Sequence, residues 1–420
     1  MNMGIIALLA LVLVIMIGFV KKLNIGLLAI AIAVVIGYAS GEFTTEQILE
    51  GFGASLFITL LGVTFLFGII NNNRCLDVLI NNIVRSFGKK VWFIPILIFI
   101  VGWFVAALAG AVAALVFVIS ISMPLSRNSG YNPALLMIIG VAGGQSGRFT
   151  LITPDGIVVS NIMSEQGIEG ILTPLTLNVT IGMIILSIAA FIYFKGYKIQ
   201  KPESSNDVVD KEHLTKNHWV ALAGVLIFIF CVIVLGLDAG LVAISVAMLL
   251  LILGISDEKK AFKSIPWNTI LMVTGVGVLM NIISETGGID ILVGAIGGFS
   301  NYATIMGMSS FIGGFMSWFS STLGVVIPTL APTVSDLANV IGNNTSETGL
   351  LSAIIVGSSS AAFSPASSAG GLILSTIIGD HQYGKEFNSS KLFVSLFVFS
   401  IVMVLINSIL AITGVFNLFN

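Results

Sequence analysis

The chain has 420 residues, 56% of them hydrophobic and only 9% charged, with a formal net charge of -2 at pH 7. An ordinary soluble domain carries about 25% charged residues, so a soluble fold is excluded, and without a concentrated basic face nucleic acid is excluded as a partner. Two cysteines outside any C-x-x-C spacing and three histidines in polar connections give no disulfide framework, thiol metal site or histidine-based catalysis.

About 20 apolar residues cross a bilayer, and only helices satisfy their own backbone there in so aliphatic a chain. The N-terminal apolar run exceeds a signal-peptide core and has no basic leader, so it reads as a retained first span stopped by Lys21 and Lys22. The predicted spans are 3–20, 23–40, 52–72, a long segment 91–126, a broken stretch 133–165, and 171–194. A polar linker with five lysines occupies 195–217. Then follow 218–236, 239–254, 267–284, a long segment 303–340, a broken stretch 348–379, and 391–417. The second half, 218–420, repeats the order of the first, 1–194.

Residues repeat too. A shift of 213 lays Gly62 on Gly275 and Asp77 on Asp290. A shift of 214 lays Gly143 on Gly357, Ser146 on Ser360, Phe149 on Phe363, Thr150 on Ser364, Thr153 on Ser367 and Gly156 on Gly370. Glycines and hydroxyls in register are not what lipid exposure alone selects.

Lysine and arginine cluster in alternate connections, which puts the linker in the cytoplasm and both termini outside. This holds only if 91–126 and 303–340 each return to the side they left, as two crossings or as a re-entrant pair of half-helices. Re-entry is favoured because the first tip, "ALAGAV", has no polar loop. Each half then crosses an odd number of times, giving an inverted repeat. The expected fold is an all-α polytopic membrane protein of two inverted repeats, each of about five transmembrane helices plus a hairpin.

The stretch "GGQSGRFTLITPDG", 143–156, places charge and helix breakers at membrane depth. Interrupted helices of this kind aim their ends at ligands near the bilayer midplane. Arg148 costs about 2.5–3.5 kcal/mol to insert. It either grips a carboxylate in two-point fashion, or pairs internally with Asp155 or Glu165, or snorkels to a vestibule. Asp155 either holds a coupling cation or proton, or caps the helix that follows. The serine and glycine cluster 357–371 either lines the same pocket or packs helices closely. At the tips of the long segments, Ser320, Ser321 and Thr322 offer hydroxyls where Ala109, Gly110 and Ala111 offer only backbone. The candidate substrate-binding residues are Arg148, Thr150, Thr153, Ser321, Thr322, Ser364 and Ser367. The candidate cation-binding residues are Gly110, Ser146, Asp155, Ser320 and Ser360. The stretches 74–88 and 287–298 read as interfacial or plain surface helices.

"GLLAIAIAVVIGY", "TGVGVLMNIIS" and above all "MSWFSSTLGVVIPTLAPTV" resemble the ion transporter superfamily, and within it the dicarboxylate (malonate-type) carriers, relatives of divalent-anion sodium symporters. The resemblance covers essentially the whole chain. It implies a dimerising scaffold domain, a transport domain that moves like an elevator, and a prokaryotic plasma (inner) membrane. It also implies a Ser-Asn-Thr triplet at each hairpin tip, from which Ser320-Ser321-Thr322 departs in part and Ala109-Gly110-Ala111 completely. The expected function is import of a small organic anion, a dicarboxylate, coupled to sodium or protons, with no other cofactor. An exporter or cation/proton antiporter on the same scaffold is the alternative. An intramembrane enzyme would need a nucleophile with a base, or a metal cluster, and the chain shows neither.

Overall fold

The computed structural model describes residues 3–41, 43–75, 78, 91–199, 213–298, 301–341, 346–380 and 387–419. Among them every regular element is helical. The first half comprises α1 (Met3–Lys21), α2 (Ile25–Ser40), α3 (Thr45–Glu50), α4 (Ala54–Asn72), α5 (Ile94–Ser129), α6 (Pro133–Gly147), α7 (Pro154–Glu165) and α8 (Leu172–Tyr193). After the linker come α9 (Lys216–Ile229), α10 (Ala239–Ile252), α11 (Glu258–Ser264), α12 (Trp267–Glu285), α13 (Gly288–Gly297) and α14 (Tyr302–Phe319). An irregular helical run, α15 (Thr322–Val340), precedes α16 (Glu347–Ala361), α17 (Ser368–Gly379) and α18 (Ser389–Ile412). Eight helical segments of the described chain are long and apolar enough to cross a membrane. The protein is therefore an integral, polytopic, all-α membrane protein.

Helix starts follow local chemistry. Asn24, Thr44, Asn132, Thr153, Thr215, Asp238, Asn301, Ser346, Ser367 and Asn388 each accept a backbone N–H of the first turn through the side chain. Each cap satisfies one of the first-turn N–H groups that a helix leaves open, and at the buried Thr153, where bulk water does not reach, it also removes a desolvation cost. Of the two amphipathic stretches, Asp77 and most of 74–88 lie outside the described residues, while Asp290 sits in the first turn of α13.

The long segment α5 turns back on itself at Gly110, whose φ of 84° and ψ of 170° leave the helical region. Two contacts with α6 establish the reversal. A Cβ on Gly140 would lie 1.9 Å from Val118 and 3.1 Å from Ile98, although those residues would stand about 30 Å apart on one straight helix. Four residues on, Gly144 faces Ala114 at 3.1 Å and Gly102 at 3.8 Å. The two arms of α5 thus run antiparallel along the same face of α6. In the second half the helical path is interrupted at Ser320 and Ser321, whose backbones are extended. α14 and α15 then meet adjacent residues of α16: Gly314 approaches Gly357, and Thr322 Oγ1 lies 2.6 Å from Ser358 Oγ.

Three apolar cores result. The largest gathers both hairpin segments and both broken helices with α8 and α18. A second joins α4 to α9, α10 and α11, and a third joins α1 and α2 to α12. The two smaller cores are stitched by the same contact used twice. A Cβ on Gly62 would lie 2.5 Å from the Gly240 carbonyl, and one on Gly275 would lie 2.3 Å from the Gly26 carbonyl. Each half thus lends a helix to the other, and any side chain at these glycines would push the pairs apart.

Candidate functional site

The interruption between α6 and α7 and that between α16 and α17 are built alike. Thr153 Oγ1 accepts from Gly156 N at 3.3 Å and shares its proton between the carbonyls of Thr150, at 2.9 Å, and Arg148. Ser367 Oγ accepts from Gly370 N at 3.2 Å and shares its proton between the carbonyls of Ser364, at 2.7 Å, and Ala362. Gly156 and Gly370 pass so close to the backbone of Thr150 and Ser364 that a Cβ would sit 1.9 and 2.1 Å from those carbonyls. One turn before each interruption, Ser146 and Ser360 donate to the carbonyls of Ala142 and Val356, both at 2.8 Å. The hydroxyls that replace lost helix bonds are thus supplied by the register seen in the sequence.

Charge enters only the first interruption. Arg148 is 4% exposed, its Nη1 lies 3.3 Å from Asp155 Oδ1, and its Nη2 donates to Ser359 Oγ of α16 at 3.3 Å. The guanidinium carbon sits 4.9 Å from the centre of the Phe149 ring, where the negative face of the ring adds attraction. Arg148 Nε finds no partner among the protein atoms. The α7 cap is Thr153, so the Asp155 carboxylate, in the first turn, is left to its pairing with Arg148 and to the helix N-terminus. Glu165 stands exposed at the far end of α7.

A cavity of about 830 Å³ opens beside this pair. Its wall includes Arg148, Asp155, Ser320, Ser321, Thr322 and Ser367, which brings together half of the sequence-predicted site residues from both halves of the chain. Thr322 bridges Ser317 at 3.2 Å and Ser358 at 2.6 Å, and Ser321 accepts from Gly324 N at 3.1 Å. Gly110 lies instead in a neighbouring cavity of about 380 Å³, which Asp155 also lines. Thr150, Thr153, Ser146, Ser360 and Ser364 line neither. Thr150 ties the first interruption to the first hairpin by donating to Ala107 O at 2.9 Å. Ser360 accepts from Asn407 Nδ2 of α18 at 2.7 Å.

Four further residues belong to the cavity or its charge pair. Gln145 lines it with a buried Oε1 that has no partner among the protein atoms. The signal was present, because Gln145 is an amide in the same polar stretch as Arg148. Ser359 holds the guanidinium, and it stands 214 residues after Gln145. Lys22, from the turn between α1 and α2, and Thr269, from the first turn of α12, also line it, beside the Asn24–Asn268 hydrogen bond at 2.7 Å, and no spacing in the sequence announces them.

Among the described residues no group of three or more His, Cys, Asp or Glu gathers as a metal site. The fold is shared with solved transporters. The crystal structure of the Alcanivorax borkumensis YdaH transporter, described as having an unusual topology, matches with a TM-score of 0.56 at 12% identity, covering 88% of this chain and 87% of that one. Neisseria gonorrhoeae MtrF, described as illuminating a class of antimetabolite efflux pumps, matches with a TM-score of 0.59 at 14% identity, covering 88% and 82%. At such identities the likeness concerns the fold alone. Where the sequence resemblance pointed to dicarboxylate carriers, the family that matches is described by citrate, another carboxylate, and it is a transporter family rather than an enzyme family. With residues 10–357 matched, most of its length, the chain belongs to the CitMHS citrate transporter family.

Proposed function

We propose that the protein is a secondary active transporter that imports a small organic anion carrying two or three carboxylates, driven by sodium or protons. The observation that carries this reading is the cavity of about 830 Å³ in which buried Arg148 faces the Ser320–Thr322 tip and the second interruption. Arg148 and Lys22 supply positive charge, and the hydroxyls of Ser320, Ser321, Thr322 and Ser367 with the Gln145 amide supply the short polar contacts a carboxylate takes. Arg148 and Asp155 cancel one another. An anion gripped by the guanidinium therefore leaves Asp155 needing a new positive partner, which is the physical reason to expect a co-transported cation.

The reading extends to the halves of the chain. We take 1–194 and 218–420 as inverted repeats around a cytoplasmic linker, supported by the paired Gly62–Gly240 and Gly26–Gly275 contacts and by the matching interruptions. The hairpins and broken helices of the large core form the moving part, the two smaller cores the static, dimerising part. With Lys22 taken as cytoplasmic, its place in the cavity lining beside Asn268 supports a cytoplasm-facing state.

Uptake of labelled mono-, di- and tricarboxylates into proteoliposomes, with and without a sodium or proton gradient, tests the proposal. Saturable, gradient-stimulated uptake of one di- or tricarboxylate is expected. Uptake of none, with no counterflow either, removes the reading, and counterflow of a different solute favours export.

A further inference from the structure

Asp155 stands in the wall between two cavities of opposite character. The larger one contains Lys22 and Arg148. Among the described residues that line the smaller one, about 380 Å³, there is no Lys, Arg or His; the polar groups among them are Asp155, Thr64, Asn71, Ser120, Ser264 and Thr269. The tip of the first hairpin, Ala111 and Val112, lines both, together with Asp155, Thr269 and Leu323. Asp155 is 3% exposed, and its Oδ1 makes no hydrogen bond, only the 3.3 Å approach to Arg148 Nη1.

A carboxylate at the end of a passage whose described lining carries no basic group attracts cations and repels anions, and the low dielectric of the surrounding apolar walls strengthens both effects. Intramembrane carboxylates that face a cavity recur as ion and proton stations. Gly110 adds a second feature at the same place. Its non-helical backbone ends the first arm of α5 beside the start of α7, where a Cβ built on Gly110 would lie 3.3 Å from Pro154. A helix's last turn leaves carbonyls without intrahelical partners, and one carbonyl near the end of that arm, Ala107 O, accepts from Thr150 Oγ1 at 2.9 Å.

We propose that the smaller cavity is a separate cation vestibule, through which a proton or sodium ion reaches Asp155 without entering the anion cavity. A cation arriving at Asp155 replaces Arg148 as its counter-charge and releases the guanidinium to an incoming carboxylate. The two ligands then bind cooperatively without touching, through the exchange of partners in one ion pair. This rests on the transport function proposed above and adds to it the route and the coupling contact.

Two measurements on the full chain in nanodiscs test it. In the first, Val116, 57% exposed and lining the smaller cavity, is replaced by cysteine in a Cys231→Ala background and reacted with cationic and anionic methanethiosulfonates. Normalised to a free thiol, V116C is expected to favour the cationic reagent at least tenfold, and S321C in the larger cavity to lack that preference. Equal rates at the two sites overturn the proposal. In the second, Thr64→Trp and Val116→Trp fill the vestibule, and citrate and succinate binding is titrated against sodium and against pH in separate arms. Wild type is expected to bind more tightly as one of the two cations rises, and T64W and V116W to lose at least tenfold of that strengthening while binding at low cation stays within twofold. Full cation dependence in both variants overturns the vestibule. Absence of anion binding in wild type instead overturns the transport reading, so the two failures are distinct.

Discussion

The two interruptions share a frame and differ in cargo. Thr153 and Ser367 make the same hydrogen bonds, at residues 214 apart, and Gly156 and Gly370 make the same close pass. At the same offset, however, Arg148 corresponds to Ala362 and Asp155 to Ala369. Hydroxyls and glycines therefore hold the break open as architecture, and the two charges of one side alone make the site asymmetric. On the proposed function, an anion in the cavity would meet one charged wall and one wall of small hydroxyl and methyl groups.

The largest effect that would test this asymmetry is removal of one charge. Arg148→Ala leaves Asp155 buried with no counter-charge, and breaking a buried pair from one side costs about 3–5 kcal/mol. Loss of uptake by that variant alone would not separate binding from folding. The double variant Arg148→Gln with Asp155→Asn removes both charges, so thermal unfolding in detergent should recover most of the lost stability while anion affinity falls about 10- to 100-fold, the worth of a charged hydrogen bond. Undiminished affinity in the double variant would take Arg148 out of recognition. Asp155→Asn by itself should retain anion binding, now independent of cation, and lose accumulation against a gradient.

Next in size is a difference hidden in the frame. Ser360 receives Asn407 Nδ2 at 2.7 Å, and Asn407 is fully buried on α18. Ser360→Ala strands that donor, for an expected cost of about 1–3 kcal/mol by unfolding measurements. Asn407→Leu in the same background should return part of it, because the polar group then goes with its partner.

Smaller still, and equal on the two sides, should be the loss of the caps. Thr153→Ala and Ser367→Ala each remove one N-cap, worth about 1 kcal/mol. Equal destabilisation, within about 0.5 kcal/mol, is expected from a common frame. A far larger loss of anion affinity from Ser367→Ala would instead assign its hydroxyl to the ligand, since Ser367 alone of the two caps reaches the cavity.

How much of this was legible in the sequence depends on what each residue does. Hydropathy gave the membrane class and nearly all the spans, because burying about 20 apolar residues leaves a mark in every window. The short helices α2 and α10 were placed correctly although 16 and 14 residues fall below a full crossing. The 214-residue register located both interruptions, because capping needs a hydroxyl at one position and a bare backbone three residues on. It could not separate cap from ligand: Thr150, Thr153, Ser146, Ser360 and Ser364 carry the same atoms as Ser320, Ser321 and Thr322, and only the fold decides which face a cavity. Gln145, Ser359 and Thr269 enter the site through tertiary approach, across 211 residues for the bond of Ser359 to Arg148. The matching of Gly62 to Gly275 was visible as a repeat, yet its reason, the close pass of each to a glycine of the other half, needed coordinates.

The smallest expected effect sharpens the comparison most. Ser146 and Ser360 are partners by offset and both bond back to their own helix at 2.8 Å, but only Ser360 also receives the α18 amide. A hydroxyl bonded to the carbonyl four residues earlier adds a second donor to an acceptor already used by the helix, and alanine is the better helix former by a few tenths of a kcal/mol, so the two changes nearly offset. Ser146→Ala should therefore leave unfolding within about 0.5 kcal/mol of wild type. It should also leave cation-stimulated uptake unchanged, because Ser146 lines neither cavity. A marked fall in sodium or proton stimulation with stability intact would show that the hydroxyl leaves its helix bond during the cycle and joins the cation site, and the division between frame and charge pair would then be wrong at that position.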